Sequence, residues 1–287
     1  MGSILTQHIS GPEAWVGADF TSDESWIYQL SRENIADIDA ALINAAKMGC
    51  SFPNIAAIEF ALPSMAELFK EIANVLENGR GFVLLRGLPV DRYSDTEINL
   101  VYYAIGLHLG QPVGQNPKGD LLGKVMNVGD PQDKNTRVYE TNLFLPYHTD
   151  PSDVVGLLCL RKAKRGGRSS LVSAASIYNE ILDKHPEYLG VYYKQFFYAH
   201  LGANRPGLTS LFSFHRGKLA CRYLRQYIEL GHEIMEQRLS KVEVEALDIF
   251  DNIMHRPEFR IDMMLEPGDL QFANNYAVLH SRNDFED

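Results

Sequence analysis

PGDLQFANNYAVLHSRNDF, residues 267–285, is the stretch whose reading decides the fold. Pro267 and Gly268 mark a turn, and the largely apolar run that follows reads as one strand, 269–281, carrying His280 near its far end. Upstream, the chain after Gly110 has the same texture of short apolar runs divided by Gly, Pro, Asn and Asp, the pattern of β-rich structure. Candidate strands fall at 124–128, 154–161, 170–173, 195–200, 210–215 and 218–222, interrupted by helices near 175–183 and 241–254.

The first 110 residues read differently. Ser31 precedes Ile35, Ile38, Leu42 and Ala45 at helical spacing, with Gly49 as the stop. Ser64 with Glu67, and Ser94 with Glu97, form capping-box patterns ahead of two further amphipathic runs. Between those runs lies GFVLLRG at 81–87, a short apolar segment bounded by glycines that reads as a buried strand. Helices followed by strands predict an α+β protein built on a β-sandwich or jelly roll. No repeat or linker divides the chain, so one domain, 1–287, is expected, with a helical part at about 1–110 packed on a β core at about 111–287.

A net charge of −10 opposes binding to a phosphate backbone, and no apolar run approaches the ~20 residues needed to span a bilayer, so neither nucleic acid nor membrane is an expected partner. Cys50, Cys159 and Cys221 are scattered and odd in number, which argues against a disulfide framework or a thiolate zinc site. With no basic-then-apolar leader at the start, a cytoplasmic location is expected. Oligomeric state is not legible.

His148 and Asp150 stand two residues apart in PYHTDP, 146–151. In an extended segment that spacing sends an imidazole and a carboxylate to one face, where both can reach one ion. A distant second histidine would complete a two-histidine, one-carboxylate site with open coordination positions. His280 stands in the turn-then-strand context described above. His200, His215, His232 and His255 compete with it by spacing alone.

At these residues the sequence resembles the taurine dioxygenase-like family of iron(II)- and 2-oxoglutarate-dependent oxygenases, which includes clavaminate synthase-like enzymes. The matching pieces are GFVLLRG at 81–87, YHTD at 147–150, RGGRSSLVS at 165–173 and the tail at 267–285. The resemblance implies a double-stranded β-helix (a cupin-like jelly roll) with flanking helices, and Fe(II) held by His148, Asp150 and His280. It also implies 2-oxoglutarate and O2 as cosubstrates, and a hydroxyl after the paired glycines, here Ser169, at the cosubstrate carboxylate. The implied reaction oxidises an unactivated C–H bond of a small molecule by hydroxylation, desaturation or cyclisation, releasing succinate and CO2.

The family places a cosubstrate-binding arginine ten or more residues beyond its distal histidine, whereas this sequence stops at Asp287. A trimmed C-terminal end is therefore expected. Arg282, two residues past His280, would share its strand face and is the nearby candidate for the cosubstrate. For substrate, the candidates are Tyr147 beside the ligands, Asn127 on a neighbouring strand, and Arg222 and Arg225 in CRYLRQY, which could anchor a carboxylate. An amino acid or another small acid would suit them. Two other readings stay open, a catalytically silent metal-binding scaffold of the same fold and a redox-neutral metal hydrolase.

Overall fold

Local chemistry sets the helix boundaries. In the computed structural model, which describes residues 4–116, 118–126, 141–200, 203 and 205–286, Ser31 Oγ accepts from the Asn34 amide at 3.1 Å. The Asn34 side chain accepts in return from the Ser31 amide at 2.8 Å. Strand β1 (Ile27–Gln29) leads into this cap, and helix α1 (Arg32–Met48) ends at Gly49, whose φ of 72° places it in the left-handed region.

Helix α2 (Ala66–Asn78) corrects one expectation. It is preceded by a 3-10 turn at Pro63–Met65, and Ser64 does not cap it. The Ser64 hydroxyl accepts from Asn34 Nδ2 at 3.0 Å and its amide donates to Asp37 at 2.8 Å, so α1 has taken the groups that would have made the box. Strand β2 (Phe82–Arg86) follows, and then α3 (Asp95–Leu109), whose Ser94–Glu97 box forms as read.

The remaining elements are largely strands: β3 (Leu145–His148), β4 (Val154–Leu158), β5 (Arg165–Gly166) and β6 (Ser169–Ser173), followed by α4 (Ala174–Lys184) and α5 (Leu189–Tyr192). Next come β7 (Gln195–Tyr198), β8 (Gly207–Ser210), β9 (Phe212–His215) and β10 (Lys218–Cys221), then α6 (Arg225–Ile234) and α7 (Lys241–His255). The last four are β11 (Arg260–Met263), β12 (Leu270–Asn274), β13 (Val278–Arg282) and β14 (Phe285–Glu286). Residues 124–126 are not in a strand, and the rest of that expected strand, with Asn127, lies outside the described residues.

Two 4-stranded sheets form the centre, one ordered β1-β2-β12-β4 and the other β11-β6-β13-β3. Alternation along the strands shows how they pack. Phe82, Leu84 and Ala273 of the first sheet share a buried cluster with Leu171, Ile261, Met263 and Val278 of the second, so these are the facing inner surfaces. The intervening residues point outward. Val83, Leu85, Leu270 and Phe272 pack with Ile38, Phe69, Ile72 and Val101 of the N-terminal helices, while Val172 and Leu279 pack with Ile177, Leu247 and Phe250. Burial on both faces explains why 82–85 reads as an unbroken apolar run.

The single strand expected over 269–281 is two strands in different sheets. A turn at 275–277 separates them, with the Asn274 side-chain oxygen accepting from the Tyr276 amide at 2.8 Å and its carbonyl accepting from Ala277 at 3.1 Å. An asparagine that supplies its own turn acceptor needs no Gly or Pro, which hid the break. The chain thereby crosses from one sheet to the other just before His280.

Two of the motifs meet across the first sheet. Arg86 makes a two-pronged ion pair with Asp269, Nε to Oδ1 at 2.9 Å and Nη2 to Oδ2 at 2.8 Å, and the Asp269 side chain is fully buried. Gly268 must be glycine, because its φ is +89° and a Cβ there would stand 2.0 Å from the Leu88 carbonyl oxygen. Among the described residues no helix is long and apolar enough to cross a membrane.

Candidate metal centre

His280 and His148 are direct cross-strand partners in the β13–β3 pairing. Their neighbours Leu279 and Tyr147 belong to the outer cluster, so strand alternation turns both imidazoles inward. Asp150 lies just past the end of β3. Its Oδ2 is 3.4 Å from His280 Nε2 and its Oδ1 is 3.8 Å from His148 Nε2. One ligand atom from each residue falls within 4.8 Å of the others, the only such group of three among the described residues. The competing histidines stand elsewhere, and the His232 and His255 rings are bonded to the main-chain oxygens of Gln237 and Asp251.

The protonation pattern suits a cation. His148 Nδ1 lies 2.9 Å from the Pro146 carbonyl; donating to it leaves the Nε2 lone pair facing Asp150. Burial, aided by the adjacent His280, pushes the His148 pKa down to about 4, so the ring is neutral at physiological pH. Burial raises the Asp150 pKa, but the hydrogen bond from His280 and the charges of His280, His148 and Arg222 outweigh it and hold the carboxyl below its usual range. Two imidazoles and one carboxylate form a donor set that fits iron(II) with coordination positions left open.

The ligand-bearing turn is held by residues that the motif reading did not single out. Asn275, 1% exposed, accepts from the Asp150 amide through Oδ1 at 3.0 Å and donates from Nδ2 to Ser152 Oγ at 3.2 Å. The Thr149 amide donates to the Tyr223 carbonyl at 2.9 Å, and Thr149 Oγ1 accepts from the Tyr223 amide at 3.1 Å. Asn275 sits inside the quoted tail, but only the break in the strand at 275–277 aims it back at Asp150.

Ser169 and Gln271 face one another between the sheets, the serine hydroxyl donating to Gln271 Oε1 at 3.1 Å. Gln271 is 1% exposed, and its buried Nε2 has no hydrogen-bond partner among the described residues, so an oxyanion placed there would meet a ready donor. Arg282 pairs with Ser169 across β13 and β6, but its Nη2 donates to the carbonyls of Thr141 and Leu143 and its guanidinium lies 4.6 Å from the Phe285 ring centre. The paired glycines before Ser169 both have φ of +71°, and a Cβ at Gly166 would lie 2.0 Å from the Asp284 carbonyl oxygen.

The substrate candidates separate. Tyr147 turns away from the ligands into the outer cluster, where its hydroxyl bonds Ser170 Oγ and its ring meets His255 edge-on. Arg225 is bound to Glu229, Asp248 and Asp251 at 2.7 to 2.8 Å. Arg222 remains near the centre, donating to the Thr149 carbonyl at 3.2 Å and lining a cavity of about 390 Å³. That cavity contains none of the three ligands, but Arg222 joins it to the turn between His148 and Asp150.

Comparison with known proteins places the chain in a family. The family model described as "Taurine catabolism dioxygenase TauD, TfdA family" matches residues 50–287. FR-33289 synthase of Streptomyces rubellomurinus is 34% identical over 100% of this chain and 87% of its own length. Taurine hydroxylase-like protein SAT17 of Stachybotrys chartarum is 26% identical over 98% and 76%. An asparagine oxygenase solved with Fe(II), 3-hydroxyasparagine and succinate has a TM-score of 0.72 at 17% identity, over 91% of this chain and 89% of that one. The non-heme iron oxygenase OrfP with Fe and alpha-ketoglutaric acid has a TM-score of 0.66 at 16% identity, over 91% and 89%. Both structures are similar to this chain in fold.

Proposed function

The chain belongs to the TauD, TfdA family of dioxygenases, and from that premise we propose that His148, Asp150 and His280 hold the catalytic iron(II) and that the enzyme oxidises a C–H bond of a small molecule. The observation that carries this reading is the convergence of two imidazole nitrogens and one carboxylate oxygen within 4.8 Å. Iron(II), 2-oxoglutarate and O2 are the cofactor and cosubstrates of this dioxygenase; bound together they supply the oxidising power, with succinate and CO2 released. The two central sheets are read as the halves of a double-stranded β-helix with the ligands between them.

The chain's own residues prepare the site. His148 and His280 arrive on adjacent strands and therefore keep their spacing, while Asp150, on a turn, depends on Asn275 and Tyr223 for its position. Ser169 and the unsatisfied Gln271 amide offer hydrogen bonds to the cosubstrate carboxylate between the sheets. Arg282, engaged with main-chain carbonyls, closes that region from the end of β13. The two histidines are buried, whereas the Asp150 side chain is partly exposed and leaves the centre an open side.

Anaerobic addition of iron(II) and 2-oxoglutarate tests the assignment. The weak visible charge-transfer band of the chelate is expected with the native protein and not with His148→Ala. A native protein that binds iron(II) but shows no band with 2-oxoglutarate would be a metal-binding scaffold. Succinate formed without dependence on any added small molecule would equally refute the substrate oxidation.

A further inference from the structure

Resting on the reading above, we propose that the cavity beside Arg222 is the substrate pocket and that it selects small molecules bearing a carboxylate. The cavity, about 390 Å³, is of small-ligand size. Its lining brings Gln195, His200, Thr209, Ser210, Ser213 and Arg222 together with a somewhat larger apolar surface. Among the described residues no Asp or Glu lines it, in a chain whose net charge is −10. A second cavity, about 200 Å³ on the far side of β3, is lined by Glu229 and Asp251 as well as Arg225.

Arg222 is the one arginine of the larger cavity, and among the described residues no carboxylate lies within 4.0 Å of its guanidinium. One N–H donates to the Thr149 carbonyl, and the guanidinium carbon lies 5.2 Å from the Tyr198 ring centre. Those two contacts fix the plane of the fork while leaving its other donors toward the cavity. A rigid planar fork of N–H donors matches a carboxylate in two-pronged geometry. His200 stands close enough that the Arg222 charge adds to desolvation in lowering its pKa. It therefore serves as a neutral hydrogen-bonding group and not as a second cation.

The same contact sets the geometry for reaction. Because Arg222 donates to the carbonyl of the residue between His148 and Asp150, a carboxylate held on it is placed one turn of chain from the metal ligands. Tyr276, which follows Asn275, closes the cavity on the same side; its hydroxyl donates to Asp153 at 2.9 Å. A small acid anchored by one end would extend its carbon skeleton toward the centre.

The test uses the intact protein with iron(II), 2-oxoglutarate and a panel of L-amino acids and short aliphatic acids, each matched with its primary amide. Acids, and not their amides, are expected to stimulate succinate formation. For a stimulating acid, Arg222→Gln should raise KM by about 100-fold, while the anaerobic chelate band persists, and Arg222→Lys should recover part of the loss. Since Arg222 also supports Thr149, Ala220→Asp gives an independent arm: it puts a carboxylate into the cavity lining without touching that hydrogen bond, and should raise KM in the same direction. The proposal is overturned if amides stimulate as well as acids, if no acid stimulates a protein that shows the band, or if Arg222→Gln and Ala220→Asp both keep the native KM. Absence of the band from the native protein would instead refute the metal assignment, and binding of the same acids and amides followed by calorimetry would then decide whether the cavity selects carboxylates.

Discussion

Arg222 and Arg225 lie three residues apart in CRYLRQY and have opposite surroundings. Arg225 opens α6 and is neutralised by Glu229, Asp248 and Asp251, two of them on α7, so its charge ties one helix to another. Arg222 follows β10 and donates to a main-chain carbonyl beside a cavity of mixed lining. The chain change from strand to helix separates the two directions. Among the described residues, carboxylates meet the Arg225 guanidinium directly and none comes within 4.0 Å of that of Arg222.

That contrast can be broken by experiment. The largest expected effect is on the Arg222 side: the KM rise for a carboxylate substrate in Arg222→Gln corresponds to about 2.7 kcal/mol of lost binding, with the thermal midpoint close to native. A fall in midpoint without a change in KM would make Arg222 structural and erase the distinction. Next comes Asn275→Ala, which removes the acceptor for the Asp150 amide. Support of this kind around a metal ligand is worth about 10-fold to 100-fold in metal affinity, so the iron(II) dissociation constant should rise by that much while KM for the small acid moves less.

On the other side, Arg225→Met should lower stability by about 1 to 2 kcal/mol in denaturant unfolding, because its partners are partly solvated, and should leave KM per folded enzyme unchanged. A KM effect there would show that the two arginines act on one ligand. The smallest change is Ser94→Ala, expected to cost about 1 kcal/mol through loss of the α3 cap. It calibrates how far a purely structural loss reaches the kinetic constants, which should be not at all.

Several elements were legible because their cause is local. The caps of α1 and α3, the buried strand β2 and the turn at Gly268 depend on neighbouring residues and were read correctly. The cap at Ser64 was misread because Asn34 and Asp37, thirty and twenty-seven residues upstream, claim its groups. Strand β11 and helix α6 are not legible in the sequence pattern, and the tail has the pattern of one strand because Asn274 makes a turn without Gly or Pro. Tyr147 was placed with the ligands by adjacency, whereas the two-residue period of a strand puts it on the opposite face.

By itself, the sequence determined the pairing of His148 with Asp150, the candidacy of His280 and the β-rich class, since short-range spacing and turn chemistry carry that information. Tertiary structure decided that the chain crosses between sheets before His280, that Asn275 holds Asp150, that Gln271 faces Ser169, and that Arg225 is paired with carboxylates while Arg222 donates to the Thr149 carbonyl beside a cavity. The reason is physical: spacing along a strand fixes which face a residue occupies, but which charges and hydrogen-bonding groups meet across that face depends on segments distant in sequence, 125 residues away for Asn275 and Asp150.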